Sequence, residues 1–153
     1  MARLYSDDPD VPSYIDWQWL PAVKVGDEDW RGYSLTLRSG QYELSLTPME
    51  GDIGVCALAD KDLDELWHGL ERGRRGEEWR FEPSEPNFTL ELRPEPFGLS
   101  LHCWVDAGNQ TSDHHSWDGI GVRFFTTMAA LEEFNRDLAN ELELVSRTTN
   151  THA

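Results

Sequence analysis

The chain has no apolar run approaching the roughly 20 residues that span a bilayer, which argues against a membrane helix. Cysteine is scarce: Cys56 and Cys103 are too few for a disulfide scaffold, and neither lies in a CxxC spacing that suggests zinc. Both sit among apolar residues, which predicts reduced, buried thiols in a cytoplasmic protein. The first 20 residues carry Asp7, Asp8, Asp10 and Asp16 and no basic stretch ahead of an apolar one, so no secretory signal is expected. There is no GxSxG nucleophile elbow, and neither cysteine has a catalytic motif around it. Carboxylates are so abundant that finding two together says nothing about acid–base chemistry. These absences predict a protein that is not an enzyme and holds no cofactor and no metal.

Positive charge is also scarce. Thirteen Lys and Arg face 29 Asp and Glu, a formal charge of -16 over 153 residues. Such a field repels nucleic acid phosphates and anionic lipid, and it speeds encounter with a basic protein. An acidic surface also simply keeps a protein soluble, so charge alone does not choose between these readings.

The length suits one domain. Residues 1–16, broken by Pro9 and Pro12, are expected to form an irregular acidic arm, residues 17–145 the domain, and 146–153 a polar, fraying tail. Val23 and Val25 suggest a short edge strand before the acidic turn 27–29. Tyr33, Leu35 and Leu37 alternate up to Ser39-Gly40, and Tyr42, Leu44 and Leu46 alternate after it. With Ser39-Gly40 as a two-residue loop, Leu37 faces Tyr42, Leu35 faces Leu44 and Tyr33 faces Leu46, all on one side. Asp60 is the expected N-cap of a first helix that buries Leu63, Leu66, Trp67 and Leu70 and ends at Gly73 and Gly76. A strand from Trp79 to Glu82 and one from Asn87 flank the turn held by Pro83 and Pro86. Two more strands follow, Gly98 to Asp106 and Gly119 to Thr126. In the first, Leu99, Leu101, Cys103 and Val105 share a face; in the second, Ile120, Val122 and Phe124 do. A closing helix from about Thr127 to Val145 buries Met128, Leu131, Phe134, Leu138 and Leu142. This order predicts an α+β fold: an antiparallel sheet of about six strands with two helices packed on one face.

Three places carry chemistry worth weighing. Metal-type ligands concentrate in the loop Asp113-His114-His115-Ser116-Trp117-Asp118, with His102 and Asp106 on the strand before it, but adjacent histidines lack the usual zinc spacing, and an exposed loop is the simpler reading. Arg72, Arg74, Arg75 and Arg80 form a basic cluster, expected to neutralise the helix's last carbonyls and nearby acids; a phosphate site is the alternative. Trp104 lies on the face opposite Leu101 and Cys103, where it either anchors a partner or packs under another element.

The segment Glu82-Pro83-Ser84-Glu85-Pro86-Asn87-Phe88-Thr89-Leu90-Glu91-Leu92 resembles one in small bacterial immunity proteins of the WapI type. The matching pieces are Leu63-Asp64-Glu65-Leu66-Trp67, Glu85-Pro86-Asn87, Val122-Arg123-Phe124, and Leu131 through Leu142. Together they cover roughly residues 30 to 145. The long loop from Asn109 to Asp118 and the acidic arm depart from the pattern. The resemblance implies a cytoplasmic antidote that binds the toxic domain of a contact-delivered toxin, often a nuclease. A nuclease holds phosphates with Lys and Arg, so clustered acids suit an inhibitor of it. The expected partner is therefore a cognate toxin domain with a basic surface, bound by a monomer or homodimer without contact to nucleic acid or membrane. Glu132, Glu133, Asp137 and Glu141 on the last helix are the first expected contacts, and Trp104 with His114 and His115 the second. The alternatives are an acidic structural or adaptor subunit that self-associates, and a small metal-dependent enzyme using His102, His114 and His115.

Overall fold

A computed structural model describes residues 1–48, 56–106 and 119–150. Among these residues nine strands and two helices follow in order: β1 (Ala2–Tyr5), β2 (Ser13–Val25), β3 (Glu28–Ser39), β4 (Tyr42–Leu46), β5 (Ala57–Leu58), α1 (Asp60–Arg74), β6 (Trp79–Phe81), β7 (Phe88–Glu95), β8 (Gly98–Asp106), β9 (Gly119–Thr126) and α2 (Met128–Asn150). The α+β class holds, and every strand pairing is antiparallel. The single six-stranded sheet does not. The strands divide into a five-stranded sheet, β1-β2-β3-β4 with β5 also on β3, and a four-stranded sheet, β6-β7-β8-β9. Alternation tells which face of a strand is buried, but it does not tell which strands pair. Here α1 separates two sets of neighbours, each of which pairs only within itself.

The two sheets place their apolar faces on one core. Ala2, Trp17, Leu35 and Leu46 form one row across the first sheet, and Trp79, Leu92, Leu101 and Phe124 form one across the second. Phe88 joins the sheets, its ring 5.5 Å from that of Trp17 and 5.4 Å from that of Tyr33. The helices meet each other, α2 lying along β1 and β2 and α1 along β6. Their approach is close. A Cβ on Gly69 of α1 would fall 1.6 Å from the Trp79 ring, and one on Gly73 would fall 2.7 Å from Leu92, so glycine is what lets helix and sheet touch. Trp19 of β2 donates its indole N–H to the Leu138 carbonyl of α2 at 3.0 Å.

Several local expectations change. Residues 1–16 are not an irregular arm: β1 and the start of β2 form a hairpin, with Ala2, Leu4 and Ile15 fully buried. Three apolar residues separated by polar ones among so many acids gave too weak a signal to read as strands. Val23 and Val25 end a 13-residue strand that has neighbours on both sides, and Pro21 is accommodated where the β2–β3 register shifts between Trp19 and Ala22. The β3–β4 hairpin is two residues out of the expected register. Gly40-Gln41 is the turn, Gly40 has φ +58°, and Leu35 faces Leu46 while Leu37 faces Leu44. Glycine at the first loop position fits a type II′ turn. A slip of two preserves facing, so Tyr33, Leu35, Leu37 and Leu46 are still buried, but Tyr42 is exposed.

The N-cap of α1 is Ala59, not Asp60, and Asp62 reaches back to accept its N–H at 3.2 Å. At the other end Glu77 N–H reaches Arg72 O and Gly76 N–H reaches Gly73 O, the paired bonds of a Schellman motif. The central turn, β6, β7 and β8 follow the expected pattern, with Phe88, Leu90, Leu92, Leu99, Leu101 and Cys103 all buried. Residues 146–150 continue α2 rather than leaving it as a tail. Arg147 pairs with Glu143 one turn back and complements the helix's negative end.

Candidate partner-binding surface

The acids of α2 are largely engaged within the molecule. Glu132 pairs with Arg74 of α1 at 3.3 Å, Glu133 and Asp137 share Arg136 at 3.4 and 3.5 Å, and Glu143 pairs with Arg147 at 3.1 Å. Glu141 lies 2.8 Å from the Met1 amino group, with only 15% of its side chain exposed. The predicted helix acids are therefore on one element, but they do not form a bare acidic strip, and Glu141 is mostly covered.

The basic cluster is spent in the same way. Arg72 and Arg75 both reach Glu77, Arg74 reaches Glu71 and Glu132, and Arg80 reaches Glu82. These carboxylates raise the Arg74 pKa further, and the two arginines hold Glu77 below the usual range for a carboxyl. Backbone N–H groups, not arginines, satisfy the final carbonyls of α1. Each arginine of the cluster therefore has a carboxylate partner within the molecule.

Trp104 projects from β8 onto the outer face of the second sheet and is 38% exposed. Glu91, His102 and Arg123 form one row across that face, and the Trp104 ring centre lies 5.3 Å from that of His102. Burial, and next the Arg93 charge, push the His102 pKa below its ordinary value, with Glu91 partly offsetting them. Arg93 meanwhile bonds Glu91 at 2.8 and 3.0 Å. His114, His115 and the rest of their loop lie outside the described residues. Among the described residues no three His, Cys, Asp or Glu side chains gather as a metal requires. Cys56 and Cys103 are both buried and outside any disulfide, and burial pushes the Cys103 pKa far up, which leaves little thiolate.

A feature the sequence reading missed lies between two sheet edges. Ile120, expected on the buried side of β9, is 57% exposed, because the sheets part there. An apolar groove of about 440 Å³ opens between β4 and β9, lined by Leu37, Tyr42, Leu44, Ile120 and Val122. On the other side of β9, Phe125 is 62% exposed, and the Trp104 ring lies across Gly121. The signal was present in the composition of β9, where Arg123 is the sole charge in eight residues. A larger cavity, about 740 Å³, lies at the start of α1 between Glu28, Asp29, Trp30, Arg31, Asp60 and Lys61. Its charges are mixed and nothing in its lining selects a ligand. Compared with known proteins, the chain matches no family model, no curated protein and no solved structure.

Proposed function

We propose that the chain is a non-enzymatic binding protein of the immunity type, which engages a basic toxin domain in the cytoplasm and blocks its working surface. The observation that carries this reading is the exposure of large apolar side chains on both faces around β9, Ile120 and Tyr42 at the groove and Phe125 and Trp104 on the outer face, on a molecule of net charge -16. Exposed aromatic and aliphatic anchors within a charged surround are the usual anatomy of a protein interface. The excess acid selects a basic partner and rejects acidic ones. Resemblance of the Glu85-Pro86-Asn87 region to immunity proteins supports the same reading. The Trp104 side, with the His114-His115 loop adjoining it in sequence, becomes the main contact. The internally paired acids Glu132, Glu133 and Asp137 take the part of a steering rim.

The test is to tag the protein, pass an extract of its source cells over it, and wash at rising salt. A stoichiometric basic protein released by salt, toxic when expressed alone and harmless when co-expressed, is the expected result. Absence of any such partner, with the protein running alone, overturns the proposal. The same exposed side chains favour one second reading, self-association as a structural subunit, which sedimentation over a range of concentrations would detect.

A further inference from the structure

We infer that the free edge of β9 receives an extended, lysine- or arginine-bearing segment of the partner as an added strand. The inference deepens the binding reading above and rests on the partner being a basic protein.

The hydrogen-bond directions around β9 follow from two backbone contacts. Asp106 N–H bonds Asn87 O of the β6–β7 turn, so the even-numbered residues of β8 point toward β7 and the odd-numbered ones toward β9. Leu101, Cys103 and Val105 face Phe124, Val122 and Ile120, so those three residues of β9 are the ones bonded inward. Gly119, Gly121, Arg123 and Phe125 therefore direct their N–H and C=O groups away from the sheet. One of these groups already has a partner: Asp7 N–H, from the β1–β2 loop, donates to Phe125 O at 2.8 Å. The chain thus places one rung of a further strand at the end of this edge, and among the described residues no strand continues it.

The side chains fit the same occupant. A strand laid on β9 enters the groove toward β4 and can set alternate apolar side chains against Ile120, Val122 and Leu44, while the others face solvent. Natural edge strands are commonly protected by charge, proline or a covering element; β9 carries a single arginine and two exposed apolar side chains. The charge around it is acidic. Asp7, Asp8 and Asp10 stand in the loop that caps the Phe125 end, and among the described residues no cation forms an ion pair with them; Glu43, which Arg38 approaches at 3.8 Å, lines the groove on the β4 side. A second copy of this chain would bring another -16 to the edge, so complementarity favours a cationic strand over self-pairing.

The experiment uses the full chain and three labelled ten-residue peptides: alternating Val and Lys, alternating Val and Glu, and the Val-Lys peptide N-methylated at every second amide. Fluorescence anisotropy is expected to show binding of the Val-Lys peptide, weakened about tenfold or more by Glu and by N-methylation, since the first removes charge complementarity and the second the ladder bonds. Hydrogen exchange at Gly121 and Arg123 should slow on binding. Arg123→Pro removes an outward N–H without touching the ladder to β8, and should weaken the peptide by a similar factor while the thermal transition remains cooperative. Equal binding of the N-methylated peptide, or unchanged exchange along β9, overturns the inference. So does sedimentation showing a dimer that Arg123→Pro dissociates, because the occupant is then a second copy. If the Val-Lys peptide docks on β9 but no toxic partner exists, the immunity reading fails and the docking mode stands. If a toxin is found and Arg123→Pro neutralises it unimpaired, the docking mode fails and the immunity reading stands.

Discussion

The two long sides of this sandwich differ. On one, α1 and α2 fill the gap between the sheets: Gly69 lies under Trp79, Gly73 under Leu92, and Leu138 accepts the Trp19 indole. On the other, β4 and β9 face each other across an apolar groove, and the same class of residue that is sealed on the first side is wet on the second. Leu138 is fully buried; Ile120, also on a core-directed face, is more than half exposed. The contrast teaches that an apolar position in an alternating strand marks a direction rather than a depth. Depth depends on whether another element arrives to cover it.

The closed side should be the easier one to break. Gly69→Ala gains about 1 kcal/mol of helix propensity but forces a methyl into the Trp79 ring. Overpacking of this kind costs about 1–3 kcal/mol, and the 1.6 Å approach puts it at the upper end or beyond. Leu138→Ala should cost about 2–5 kcal/mol through lost burial and a cavity, which at this chain length lowers Tm by several degrees or more. Asp62→Ala comes next. Its buried carboxylate accepts from Ala59 N–H, Ser84 N–H and the Ser84 hydroxyl, tying the start of α1 to the central turn. Leaving those donors unpaired should cost about 1–3 kcal/mol in urea titration.

On the open side Ile120→Ala should cost less than about 1 kcal/mol, because little of its surface leaves water on folding. If Ile120→Ala proves as damaging as Leu138→Ala, the seam is closed in solution and the contrast fails. The smallest effect expected is in pH dependence. The folded protein holds His102 at a lower pKa than the unfolded chain does, so the unfolded state binds more protons just below neutrality. Stability should therefore fall as pH drops through about 6.5 and level off below the folded pKa, once both states carry the proton. His102→Gln should remove this component, measured as the difference between the two proteins' stability–pH curves.

Much of the fold was legible. Gly98 to Asp106 and Gly119 to Thr126 match their strands end for end, because alternation bounded by glycine and aspartate is a strong local signal. The stripe Leu63, Leu66, Leu70 and the run Leu131, Phe134, Leu138 are buried as their spacing requires. The hairpin at Gly40 was found but placed two residues out, since both registers put the same side chains on the same face and only the turn geometry separates them. The strand at Ala2 was not read, because four residues carry almost no period. The candidate surface was half legible. Trp104 could be placed on the less buried face from parity alone, whereas the pairing of Glu132 with Arg74 joins residues 58 apart and has no local signature.

By itself the sequence determined the α+β class, the facing of most strands, the two amphipathic helices and a strongly acidic field, because each depends on residue type and short-range period. The tertiary structure decided the rest: two sheets in place of one, the neutralisation of the arginine cluster and of the α2 acids, and the groove between β4 and β9. These are long-range outcomes. Which edges are covered and which charges meet depends on where α1 and α2 come to rest, and among the described residues β9 is an apolar edge strand that neither helix covers.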